Sequence, residues 1–268
     1  MILNIKRILI LSIILVSCQT GKLEVIANID NKLDEVSANE IIPQSNLIWV
    51  IEDSNNKNNI YGLNAKGNIS KNIDVSNAKN IDWEDLTKDK EGNLYIGDFG
   101  NNSRKRKIFT IYKINKIATI ASSTKADIIN FTLPKNVPSE DFEAFFLWDG
   151  LFYIFSKNDK KTKVITVPNS IGNHEASFYA EYKLEGKNTP ITAADISADG
   201  KQIALLNHDK VWLISDFKKP NFFKGNVTAL PFMHKSQKEG LCFKDSKTIY
   251  ISDERKKHDG KIYSFNLD

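Results

Sequence analysis

The chain has 268 residues, 26% charged and 41% hydrophobic, with a formal net charge of +4. Acids and bases are interspersed without a long basic block, so the composition excludes the usual footprint of a nucleic-acid polymer binder. Two cysteines, Cys18 and Cys242, are too few for a disulfide-rich scaffold.

The first seventeen residues read as an address. Lys6 and Arg7 precede the apolar run Ile8–Val16, and Leu15-Val16-Ser17-Cys18 ends it. This run of nine residues, apolar but for Ser12, is too short to span a bilayer, which takes about 20, but it suits a secretory h-region. The ending resembles a bacterial lipobox, which implies cleavage before Cys18 and acylation of its thiol. The expected organisation is a lipoprotein signal peptide over residues 1–17, a lipidated Cys18 with a tether over 18–22, and one domain over 23–268. The location that follows is extracytoplasmic, with the chain tied to a bacterial membrane, periplasmic or at the cell surface. Removing Lys6 and Arg7 brings the formal charge to +2. Cys242 lies in the apolar run Leu241-Cys242-Phe243 and reads as a small buried hydrophobe.

Beyond the signal, helical periodicity is nearly absent. Apolar, β-branched and aromatic runs of four to seven residues alternate with Asn, Asp, Gly and Lys turns. The first group holds Glu35–Ser37, Leu47–Ile51, Ile60–Leu63 and Ile69–Val75. Next come Glu84–Thr87, Asn93–Gly97, Ile108–Ile114 and Asp127–Phe131, then Glu143–Leu147, Leu151–Phe155, Val164–Val167 and Phe178–Leu184. The fourth holds Ile191–Ser197, Gln202–Leu206, Val211–Ile214 and Val227–Leu230. The fifth has only Glu239–Phe243, Thr248–Ser252 and Ile262–Phe265. Four-stranded units at this spacing predict an all-β, five-bladed β-propeller. The orphan run Leu23–Ile26 is expected to supply the missing strand and close the ring, because an unpaired edge is a liability. A two-sheet sandwich would explain the strands but not the recurrent glutamate.

That glutamate heads the first strand of three groups, as Glu84, Glu143 and Glu239. In an antiparallel hairpin the start of the first strand lies beside the end of the second. Ser37, Glu84, Glu143, Ala194 and Glu239 should therefore converge at one axial mouth, rimmed by Asp53, Asp98, Lys157, Asn207 and Asp253. Converging carboxylates repel unless protons or a cation compensate, and an oxygen-only set suits calcium. Three readings stay open: a polar ring with ion pairs to Lys157, Lys238 or Arg255, a structural cation, and a cation that carries ligand or catalysis.

Asp82-Trp83-Glu84-Asp85-Leu86, Tyr95-Ile96-Gly97-Asp98, Asp141-Phe142-Glu143-Ala144, Ala194-Asp195-Ile196-Ser197 and Glu239-Gly240-Leu241 resemble the SdiA-regulated family of extracytoplasmic propellers. The likeness spans most of the mature chain on short, degenerate motifs. The same series more distantly resembles the calcium-activated nucleotidases, or apyrases, five-bladed enzymes with a central calcium, and more weakly the phytase-type esterase propellers. That resemblance implies Ser37, Glu84, Glu143 and Glu239 as calcium ligands. Ala194 departs from the serine expected in the fourth blade and would contribute only a backbone carbonyl.

Other signals are weaker. His174, His208, His234 and His258 lack zinc-ligand spacing, and Arg104–Lys107 reads as a hairpin tip on the acid-bearing face, open to an anionic ligand. No nucleophile elbow, phosphate loop or zinc signature occurs. The reading favoured is a ligand- or partner-binding module of the cell envelope with an axial calcium. Its alternative is a calcium-dependent hydrolase of phosphate or carboxylic esters, with Asp98 or Asp53 orienting water.

Overall fold

In the computed structural model, residues 20–135, 137–219, 221–255 and 259–268 are described. The expected signal and Cys18 lie outside them, as does His258. Among the described residues no helix is long and apolar enough to cross a membrane.

A first strand, β1 (Glu24–Asn28), precedes five blades. Blade 1 holds β2 (Val36–Ile41), β3 (Ile48–Glu52), β4 (Asn59–Leu63) and β5 (Ile69–Val75). Blade 2 follows with β6 (Trp83–Lys88), β7 (Leu94–Asp98), β8 (Phe109–Ile114), the short β9 (Ser123–Thr124) and β10 (Asp127–Thr132). In blade 3 are β11 (Phe142–Trp148), β12 (Leu151–Ser156), β13 (Thr162–Pro168), β14 (Gly172–Glu175) and β15 (Ser177–Tyr182). Blade 4 comprises β16 (Ala193–Ile196), β17 (Ile203–Leu206), β18 (Lys210–Ser215) and β19 (Asn226–Pro231). Blade 5 has β20 (Lys238–Phe243), β21 (Thr248–Asp253) and β22 (Lys261–Asn266). This is the five-bladed propeller arrangement expected. β1 pairs antiparallel with β22 and makes blade 5 four-stranded.

Two short strands fall outside the sequence reading. β9, in the third-to-fourth-strand connection of blade 2, pairs parallel with β5 of blade 1. β14, in the same connection of blade 3, pairs parallel with β10 of blade 2. The corresponding stretch of blade 4 is no strand, but it stacks Phe223 on Tyr182 of blade 3, with centroids 4.2 Å apart.

The inner strands come out apolar because both faces of a blade are buried against its neighbours there. Along β7, Leu94 and Ile96 join the core shared with blade 1, while Tyr95 between them joins the core shared with blade 3. Along β12, Phe152 and Ile154 face blade 2, and Tyr153 and Phe155 face blade 4. This is the two-residue period of a strand used on both sides. Fully burying each such side chain is worth about 1.5–3 kcal/mol.

Candidate axial metal and ligand site

The innermost strands of four blades share one irregularity that makes the site. Pairing slips by a residue between Val36 and Ala38, Trp83 and Asp85, Phe142 and Ala144, and Lys238 and Gly240. Each slip is a bulge, and bulges re-aim a side chain. The bulged residues are Ser37, Glu84, Glu143 and Glu239, four of the positions singled out from sequence. All four line one cavity of about 50 Å³, together with Asp53, Asn102, Lys157, Gln237 and Glu254.

Blade 4 has no such slip, since Ala193 pairs with Leu206 and Ala194 with Leu205 in unbroken register. Ala194 is buried away from the mouth, and its amide reaches Asp85 Oδ2 at 3.3 Å. The residue equivalent to Ser37 is Thr192. Ser37 Oγ donates to the carbonyl of Trp83, one residue before Glu84, and Thr192 Oγ1 donates to that of Lys238, one residue before Glu239. The sequence alignment was two residues off, because without the bulge the blade starts later.

The tightest acidic group combines two aspartates with one ring glutamate. Asp53, Asp82 and Glu84 each offer a carboxylate oxygen, all within 4.8 Å of one another, close enough that they could hold a metal ion. Asp82 stands in the sequence as the head of the Asp82–Leu86 motif but not among the expected ligands, because it precedes the strand and no periodicity marks it. It is held in place through its amide, which donates to Asp98 Oδ1 at 3.1 Å. Gly100 seals the group from outside. A Cβ there would press on Glu84 Oε1 and Asp82 Oδ2, so a larger residue would have to push those carboxylates out of place.

Burial lifts the Glu84 carboxyl well above the ordinary range, and Glu143, Asp53 and Asp82 add to the rise. Asp82 is pushed up to about 6, first by burial and then by Asp53 and Asp141. Asp53 is raised by burial, with Glu35 and Glu239 contributing. Glu143 is raised by burial against the pull of Lys157, whose ammonium sits 2.8 Å from its Oε2. Among the described residues Lys157 is the only basic side chain lining the cavity, and that leaves the described acids in excess.

The other rim candidates are engaged elsewhere. Asp98 is fully buried and pairs with Arg106 Nη1 at 2.7 Å, so it does not face the cavity as a water-orienting base. That pairing, with Arg104 3.8 Å from Glu140, draws half of the basic tip into internal ion pairs. Asp253 accepts from Lys261 N and the Tyr263 hydroxyl. Asn207 caps its own turn through the amides of Asp209 and Lys210. Of the three expected counter-ions only Lys157 serves. Arg255 pairs with Asp34, and buried Lys238, lowered to about 8 by desolvation, donates to the His208 carbonyl and Ser236. His208, unremarkable in sequence, brings Nε2 within 3.1 Å of Glu239 Oε1.

An oxygen-only donor set with excess negative charge fits a hard divalent cation such as calcium. The cavity has room for an ion with a water or two, since a liquid water occupies about 30 Å³. Small organic ligands take about 300–1,000 Å³ and would have to engage the site from outside.

No family model matches this chain, and no curated protein matches it significantly. Among solved structures, an aldose sugar dehydrogenase of Streptomyces coelicolor in its PQQ-bound form superposes with a TM-score of 0.54. Identity is 8%, over 91% of this chain and 97% of that one. The likeness is one of fold alone. Two others fall lower. A gluconolactonase of Xanthomonas campestris has a TM-score of 0.49 at 8% identity, covering 87% and 72% of the two chains. A luciferin-regenerating enzyme has 0.47 at 13%, covering 88% and 79%.

Proposed function

We propose that this chain is a lipid-anchored, extracytoplasmic propeller, akin to the SdiA-regulated family. On this reading its axial mouth holds calcium and through it binds an anionic ligand or partner. The observation that carries the reading is the convergence of Asp53, Asp82 and Glu84 oxygens within 4.8 Å, beside Glu143 and Glu239 on the same cavity. Asp53, Asp82 and Glu84 would hold the ion, with Ser37 and Glu239 completing an oxygen shell. Bound there, calcium supplies positive charge to an anionic group at the mouth, while this chain's own Lys157 and the exposed Lys105 and Lys107 add to the attraction. The anchor reading rests on Lys6, Arg7 and the Leu15–Cys18 ending.

A ligand that binds only the folded state stabilises it by mass action, about 2.7 kcal/mol at one hundred times Kd. Calcium should therefore raise Tm in chelator-stripped protein, and Asp82→Asn should abolish the rise. An unchanged Tm, with no metal by elemental analysis, defeats the cation site. Separately, Cys18→Ala should release the protein from membranes and remove its lipid label.

One observation favours a hydrolase as the second reading: the imidazole of His208 lies against Glu239 at the acid mouth. Calcium-dependent turnover of nucleotides or model esters, lost in His208→Ala with calcium binding intact, would establish it. Binding without turnover across that panel supports the module.

A further inference from the structure

The opposite end of the axis is built differently. All five turns that join the first and second strands of the blades frame a broad basin there. They comprise residues 41–47, 87–91, 147–150, 196–200 and 243–246. Two adjoining cavities make it up, of about 710 and 820 Å³, sharing Pro43, Lys88 and Ile196–Asp199. Volumes of this size suit a small organic ligand, which the 50 Å³ acid cavity at the other mouth does not.

The larger cavity has an apolar wall of Ile26, Ile41, Leu47, Ile196, Phe243 and Tyr250. Its charge comes from the axis. Lys88 lines both cavities, is 22% exposed at its side chain, and sets Nζ 2.6 Å from Glu40 Oε1. Among the described residues Glu40 is its single hydrogen-bond partner, so two of its three N–H bonds are uncommitted. Glu40 is fully buried, and its second oxygen, Oε2, has no hydrogen-bond partner.

Several acids around that ammonium are engaged by other donors, Asp89 by the amides of Glu91 and Asn93 and the Tyr95 hydroxyl, and Asp149 by Lys219. Asp195 spends its oxygens on the amides of Ile196 and Phe243. Burial pushes Glu40 up to about 7 against the pull of Lys88. At the rim, Asp199 is held by Ser197 Oγ and the amide of Lys201, and Asp245 by the amide of Lys247.

We propose that this basin is a second binding site, independent of the acid mouth, for a small amphipathic monocarboxylate whose head meets Lys88 and whose hydrocarbon body lies on the isoleucine-rich wall. Burial of a seven-carbon chain on that wall is favourable, and the charge-assisted bond to Lys88 selects the head group.

Titration calorimetry of the full chain with octanoate, 1-octanol and octylamine, all below their micellar range, tests this. Octanoate should bind at least tenfold tighter than either comparator. The pair Lys88→Met with Glu40→Gln should erase that preference. Leu47→Asp, on the partly exposed wall, should weaken octanoate at least tenfold and stands as the test where the buried pair does not fold. Glu84→Gln, at the far mouth, should leave binding unchanged. Absence of octanoate binding, equal affinity for the alcohol, or indifference to Leu47→Asp overturns the proposal. A fall in Glu84→Gln as large as in Leu47→Asp would move the carboxylate to the acid mouth and overturn it equally.

Discussion

Two tiers of carboxylates lie along one axis, and they differ in what surrounds their oxygens. In mid-channel, Asp85 accepts the amides of Leu86 at 2.8 Å, Phe145 at 2.9 Å and Ala194 at 3.3 Å. One side chain of blade 2 thus ties blades 3 and 4 to it. Asp195 of blade 4 accepts Phe243 N of blade 5 at 2.8 Å, and Asn39 of blade 1 meets Cys242 Sγ and Ser252 Oγ of blade 5. These groups satisfy amides that the inner strand edges would otherwise leave unpaired. At the mouth, Asp53, Asp82, Glu84 and Glu143 crowd each other around a single ammonium. The same residue types, a few ångströms apart, thus act as pins in one tier and as a charged receptor in the other. Hydrogen-bond donors, more than burial, separate structure from function here.

The largest effect expected is at the pins. Asp85→Ala leaves three buried amides without an acceptor, each costing about 1–3 kcal/mol. Urea unfolding should show a loss of about 3–5 kcal/mol, which calcium does not restore. Asp195→Ala, with two amides at stake, should cost about 2–4 kcal/mol by the same measure. A mouth substitution should run the other way. Glu84→Gln relieves like-charge crowding and should stabilise the calcium-free protein by about 1 kcal/mol, while removing its calcium response. Equal losses at Asp85 and Glu84 would erase the distinction between the tiers.

The smallest effect is on pH. Asp82 is raised from 3.8 to about 6 in the fold, with Asp53, Glu84 and Glu143 raised as well. Between the unfolded and folded values the native state holds more protons, so stability rises as pH falls through that window. In chelator, Tm should climb from pH 7 towards pH 5. Saturating calcium should flatten or reverse the trend, because protons and the ion then compete for the same oxygens.

Much of this was legible in the chain. The apolar runs place the blades because the inner strands are buried on both faces, and Glu84, Glu143 and Glu239 stand where hairpin geometry puts them. Asp82 and His208 sit in loops, where no period marks them. Asp98 reads as a free rim acid until Arg106 folds back on it, a contact across a hairpin that spacing alone does not reveal. Ala194 was placed by assuming that all five blades start alike; blade 4 lacks the bulge that shifts the others.

The outer rim has an uneven consequence of its own. Blade 2 hooks onto blade 1 through β9, blade 3 onto blade 2 through β14, and blade 4 onto blade 3 through stacked rings. Blade 1 reaches β1 of blade 5 through the bond from Asp30 N to Gly67 O. In blade 5 the fourth strand enters from the N-terminus in place of a third-to-fourth-strand connection, and there Lys22 N meets Phe232 O at 2.8 Å and Leu23 fills the core between blades 4 and 5. A load applied through residue 20 therefore falls on this seam first. Pulled from there, β1 would come away from β22 one bond at a time, and the fold would open like a clasp and not like a ring pulled apart.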